Sequence, residues 1–273
     1  MTASTSPAPS TAPGATTGRR WRGLRRTLLL GRANWTLMVR NRTTMLYAFA
    51  LPLFPLVLLF TAERTGGDTN AGVASIGTAL VMALVFPGYY NLLSMFVTRR
   101  DELVLKRLRT GEVRDVELVV SMALPGALVT AAVFVLTVPV AAAAGLDLPL
   151  NPLLLLVGLL LSIVTFAAFA VWTAAWTRTA ESAQLTSGPV ILLALAGFAA
   201  PALPQAAQRW AELLPGAAVN ELVRVGWFAQ DDSGALSFLG TWAASLQPLA
   251  VLLAWTALAL VLARRSLRWE PRA

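Results

Sequence analysis

Thr98 to Glu117 reads TRRDELVLKRLRTGEVRDVE, a charged island between two long apolar runs, and its reading decides what the flanks must be. It sets Arg99, Arg100, Lys106, Arg107, Arg109 and Arg114 against Asp101, Glu102, Glu112, Asp115 and Glu117. Leu103, Leu105 and Leu108 alternate with these charges, Glu102 and Lys106 have the spacing of a helical pair, and Gly111 stands where a short helix would end. Two readings fit the pattern. It is either a docking helix from Asp101 to Arg109, or a solvated loop closing a helical hairpin.

The composition names the solvent on either side of the island. Of 273 residues, 56% are hydrophobic and 13% charged, whereas an ordinary soluble domain carries about 25% charged residues. With a mean hydropathy of +0.65, this is an integral membrane protein. The formal charge of +8 is almost wholly arginine, and Lys106 is the single lysine. The chain has no cysteine or histidine, which excludes disulfides, thiolate and imidazole metal sites, and imidazole acid–base catalysis.

Apolar stretches of bilayer length mark six spans: Thr43 to Ala62, Gly72 to Val97, Leu118 to Ala144, Pro152 to Trp176, Ser187 to Leu203 and Gln247 to Ala263. None contains a charged residue. The first is too long for the core of a secretory signal, and no small-residue cleavage site follows it. Ahead of it, residues 1–18 are mostly Ser, Thr, Pro, Ala and Gly and read as a disordered tail. Arg19 to Arg42 holds eight arginines and no acid, with Trp21, Leu24, Leu28, Trp35 and Met38 at helical spacing, as expected of a helix lying at an anionic membrane surface. Residues 19–268 thus form one transmembrane domain, followed by the short tail 269–273.

Running the first span from inside to outside puts nineteen of the 22 basic residues on the cytoplasmic side, leaving only Arg64, Arg209 and Arg224 outside. By the positive-inside rule both termini are cytoplasmic, so the basic balance reflects topology and gives no argument for nucleic acid. Between the fifth and sixth spans, Pro204 and Pro215 each suit the first turn of a short helix. Trp210, Leu213 and Leu214 form one apolar patch and Val219, Leu222, Val223 and Trp227 another, leaving Glu212, Glu221 and Arg224 for water. Two external amphipathic helices, dipping into the outer leaflet or capping the bundle, are expected there.

The order of these parts resembles the type-2 ATP-binding-cassette exporter permeases, particularly the daunorubicin-resistance-like branch. The resemblance spans Arg32 to Arg268 and rests on three stretches. They are NWTLMVRNRTTMLYAFALPLFPLVLLF at Asn34 to Phe60, RRDELVLKRLRTGEV at Arg99 to Val113, and LPQAAQRWAELLPGAAVNELVRVGWF at Leu203 to Phe228. In that family the first is an interfacial helix entering the membrane, the second meets the ATPase, and the third forms external helices before the last span. Many relatives continue the KRLR segment with a Pro-containing turn, where this chain has Thr110-Gly111-Glu112. The resemblance implies an all-α, six-span permease of a bacterial cell membrane, working as a homodimer or paralogous heterodimer with cytoplasmic ATPase subunits. Asp101, Glu102, Leu103, Leu105, Lys106, Arg107, Leu108 and Arg109 would form its coupling helix. ATP and Mg would be bound on the partner ATPase, and this chain would bind no cofactor or metal and catalyse no reaction.

The residue chemistry points the same way. Lys106 lies in Leu-Lys-Arg instead of a Gly-rich Gly-Lys-Ser/Thr turn, so a P-loop is missing. The spans lack the carboxylates that ion-coupled carriers place there, which disfavours the alternative of an ion-gradient-driven transporter. The acids lie in connections, which disfavours an embedded enzyme; a scaffold is the remaining alternative. An uncharged membrane path suits a hydrophobic or amphipathic drug, antibiotic or lipid-like cargo. Candidate path residues are Pro87, Gly88, Tyr89, Tyr90 and Asn91, which equally fit a kink and helix packing.

Overall fold

The computed structural model describes residues 15–62, 69–103, 114–198, 203–231 and 234–266. The chain is an all-α polytopic membrane protein. Among the described residues, five helical segments are long and apolar enough to cross a bilayer: Arg42–Phe60, Asn70–Asp101, Asp115–Ala143, Pro152–Ala174 and Leu246–Ser266. Each falls on an expected span. Ser187 to Leu203 differs, because the apolar helix there, Ala183–Phe198, is shorter than a span. It is built from α8 (Ala183–Thr186) and α9 (Gly188–Leu195), and Pro189, in the first turn of α9, has no amide to continue the ladder between them. Residues 199–202 lie outside the described residues.

Helix α1 (Ala15–Arg40) begins inside the segment expected to be disordered, because extending an existing helix backward costs far less than nucleating one. Its buried stripe is Thr27, Gly31, Asn34 and Met38, while Leu24, Leu28, Leu29 and Leu37 are each more than half exposed. Of the expected apolar stripe's members with described side chains, Leu24 and Leu28 face outward, where a helix at a membrane surface would offer them to lipid, and Met38 is buried. In lipid, leucine gains nothing by leaving the tails, so helices meet through small and polar side chains. Gly31 lies against Leu124, and the Asn34 amide donates to the Ser121 carbonyl at 2.8 Å, seating α1 along the first turns of α6 (Asp115–Ala143).

Asn41 ends α1 and caps α2 (Arg42–Leu53), its side chain accepting from the Thr44 amide at 3.1 Å. Pro55 then tightens the first span into a 3₁₀ turn, Phe54–Leu56, before α3 (Val57–Ala62). The second span runs through α4 (Thr69–Ala83), a π-helical stretch Leu84–Tyr90, and α5 (Asn91–Asp101). The fourth is α7 (Pro152–Ala174), and the last, α13 (Leu246–Ser266), packs along it. Hydroxyls join these two across the bundle, Thr165 to Thr256 at 2.6 Å.

Between α9 and α13 the two expected amphipathic helices are present. Helix α10 (Gln205–Ala211) is followed by a turn and by α11 (Pro215–Phe228), which is buried along Val219, Leu222, Val223 and Trp227 and packs on α4, α7, α9 and α13 together. The Leu213 carbonyl accepts from the Trp255 indole at 2.7 Å, and Trp255 lies about 13 Å along α13 from Leu246 at 1.5 Å per residue. These two helices form an amphipathic hairpin packed on the spans, with the expected apolar patch of α11 buried against them. Only Gly allows the fit, because a Cβ on Gly216 would overlap the Ala194 carbonyl and one on Gly197 the Ala217 backbone. A two-residue β pairing, Gln230–Asp231 with Gly234–Ala235, and α12 (Phe238–Ala244) lead to the last span.

Asn151 closes this end of the bundle. Buried completely, it caps α7 through the Leu154 amide at 3.0 Å, donates to Thr241 at 2.8 Å, and gives its backbone amide to the Gly226 carbonyl at 2.9 Å.

Candidate functional site

The second span ends where the charged island begins, and its last turn is fastened in two directions. Helical periodicity puts Arg100 on the same face as Leu93, Phe96 and Val97, so its side chain points into the bundle, and it is 0% exposed. Its guanidinium donates to the carbonyls of Ala174 at 2.7 Å, Thr177, and Arg178 at 3.4 Å. Ala174 is the last residue of α7, so the cation occupies the negative end of that helix, where four carbonyls lack intrahelical partners. The planar fork of arginine suits several carbonyls at once, and Asp101 at 3.8 Å from Nε supplies a counter-charge at the rim.

Arg99 points the other way. It donates to Asn34 Oδ1 at 2.6 Å, and Asn34 in turn donates to Ser121, so one polar chain joins the second span, α1 and α6. Two adjacent arginines thus bolt the end of the second span to α1, to the third span and to the fourth.

The chain leaves this junction abruptly. Helix α5 stops at Asp101, and Leu103 adopts a left-handed φ of 58° while its amide returns to the Arg100 carbonyl at 3.0 Å. Asp101 therefore ends the membrane helix, and the backbone turns at Glu102 and Leu103. All three are exposed. Leu105, Lys106, Arg107, Leu108 and Arg109 lie outside the described residues. Opposite, the turn after α7 is fixed by Thr179 and Ser182, whose amides and hydroxyls bond reciprocally at 3.0 and 3.2 Å.

The expected path residues sit together in the π-helical stretch. Pro87 offers no amide to the carbonyl four residues back, Ala83, and the Thr130 hydroxyl of α6 donates to that carbonyl at 2.8 Å. Gly126 approaches the Pro87 carbonyl so closely that any Cβ would overlap it. Tyr89 is completely buried and hydrogen-bonded to Thr173 at 3.2 Å. Gly88, Tyr90 and Asn91 are partly exposed, with Asn91 reaching Met38 Sδ at 3.8 Å. The wide turn thus joins the second span to α6 through Pro87 and to α7 through Tyr89.

Sequence reasoning had counted Arg100 among the charges of the island. The available signal was its helical phase, seven residues after Leu93 and four after Phe96. Among the described residues, no group of three or more acidic side chains is placed to hold a metal ion.

The junction ties the end of the second span to α1 and to the third and fourth spans. The family described as ABC-2 type transporter matches residues 25–228, which include most of α1, the junction, α10 and α11. Comparison with curated proteins finds no match.

Proposed function

The chain belongs to the ABC-2 type transporter family and is an ABC transporter permease subunit, and from that premise we propose that it exports a hydrophobic or amphipathic compound using ATP hydrolysed by a separate subunit. Two permease copies, identical or paralogous, would flank the path, with both termini on the cytoplasmic side of a bacterial cell membrane. ATP and Mg would sit on the partner ATPase, for this chain has no P-loop.

The observation that carries the coupling role is the double arginine junction. A push on the residues that follow Leu103 reaches α7 through Arg100 and reaches α1 and α6 through Arg99, without needing any flexible connection. Such rigid transmission is what a transporter powered by a neighbouring ATPase requires.

The test exploits the absence of native cysteine. Leu103→Cys, co-expressed with a candidate partner ATPase carrying one surface cysteine and treated with a short bifunctional thiol reagent, should cross-link to that ATPase at a rate that changes when ATP is added. Efflux that persists without any ATPase and collapses with the ion gradient would instead establish a secondary transporter.

A further inference from the structure

Helix α1 is divided lengthwise into three faces. Thr27, Gly31, Asn34 and Met38 are buried against the spans. At about 100° per residue, the next arc round the helix, about 60–120° from Thr27, holds Leu24, Trp35, Leu28 and Val39. Trp35 is half-buried, while Leu24, Leu28 and Val39 are 54%, 55% and 43% exposed. Arg32 and Arg25 come directly after, at about 140 and 160°, and both are exposed. The arc facing away from the spans then carries Thr36, Leu29 and Arg40.

Protein on one side, an apolar arc beside it and arginines just beyond is the order a helix shows in the corner between a bundle and a bilayer. There an arginine lays its stem on the acyl chains and lifts its guanidinium to the phosphates. One residue, Asn41, separates α1 from the first span, Arg42–Phe60, so α1 stays beside the leaflet in which that span begins. Leu46, Tyr47 and Phe54 of that span continue the exposed apolar surface. The surface accepts one sign of charge: α1 contains no acidic residue, and Arg25, Arg32 and Arg40 make no ion pair among the described residues. On its buried stripe, Asn34 holds Arg99 at 2.6 Å.

We propose that Arg25 and Arg32 dock α1 on the headgroups of anionic phospholipids, and that this contact steadies the end of the second span through Asn34 and Arg99. A guanidinium bonds a phosphodiester by two charge-assisted bonds. An anionic lipid offers its phosphate without a competing cation, whereas a phosphatidylcholine carries its own. That the steadied junction bears on coupling rests on the permease reading above; the docking does not.

The experiment therefore needs no ATP. Leu28→Cys, the single thiol of its chain, carries an environment-sensitive fluorophore in nanodiscs of phosphatidylcholine alone or with about 30% phosphatidylglycerol. Phosphatidylglycerol should shift the emission to the blue, and about 1 M NaCl should shrink the shift by screening. Arg25→Gln with Arg32→Gln should remove most of it, whereas Arg25→Lys with Arg32→Lys, which keeps the charge, should retain part. In the same discs Leu103→Cys should react with a neutral maleimide more slowly when phosphatidylglycerol is present, and the glutamine pair should erase that difference. Equal emission in the two lipids overturns the docking, as does a shift that the glutamine pair leaves intact. So does an equal shift from inorganic phosphate added to phosphatidylcholine discs, or a shift seen only when a partner ATPase is added. A Leu103→Cys rate that ignores the lipid, or a lipid dependence that survives the glutamine pair, overturns the link to the junction. Each of these results leaves the permease assignment standing.

Discussion

At the scale of single residues, the interior is decided by who satisfies exposed backbone. Arg100 meets carbonyls at the end of α7 that no amide of that helix can reach. Replacing it with Met should lower stability in detergent by about 2–4 kcal/mol, since buried carbonyls lose a charged donor. Arg100→Lys, which keeps the charge but not the fork, should assemble with the ATPase yet transport less cargo per ATP hydrolysed. Measuring hydrolysis and efflux in the same proteoliposomes checks this, and an unchanged ratio removes Arg100 from the transmission route. Thr130 plays the smaller version of the same part at the Ala83 carbonyl beside Pro87. Thr130→Val should cost about 1 kcal/mol in the native chain. It should cost measurably less in a Pro87→Ala background, where residue 87 has its own amide to offer. Additive losses in that double-mutant cycle would show that the hydroxyl is not answering the proline.

At the scale of elements, glycine decides which helices insert. Gly216→Ala should dislodge α11, because the new methyl meets the Ala194 carbonyl, a backbone atom that cannot rotate away. Gly188→Ala meets nothing within 4 Å and should be accepted. The thermal midpoint of each purified variant reads the difference, and equal midpoints would contradict the close packing. These elements also show where the sequence was and was not legible. The spans at Thr43, Gly72, Leu118, Pro152 and Gln247 were readable because length and hydropathy alone determine them. The buried face of α11 was readable from its periodicity, but the cavity beside it was not, because Glu212, Glu221 and Arg224, which line it, look like a wet face whether the water is outside the bundle or in a cavity. The stripe by which α1 packs was not marked by apolar periodicity either, since membrane helices pack through small and polar residues. For the junction, the sequence showed the doubled arginine, but only the helical phase of Arg100 shows that it faces inward.

At the scale of the whole molecule, the arginine distribution makes one orientation testable. Thr179→Cys, in the turn after α7, and Arg265→Cys, in the last turn of α13, both exposed, should be shielded from an impermeant thiol reagent in intact cells, whereas Ala235→Cys should react. External labelling of Thr179→Cys would invert the topology. The anchor between Trp255 and Leu213 adds a constraint of time to this arrangement of space. The ribosome delivers the hairpin before it delivers the last span, so during synthesis its turn emerges without the indole that will hold it and α11 lacks one of its walls. Seating must therefore be a late event in biogenesis, completed when α13 enters the membrane. A chain halted at residue 240 should expose Ala217→Cys to the external reagent and the full-length chain should protect it; protection in both would mean that the hairpin seats without its anchor.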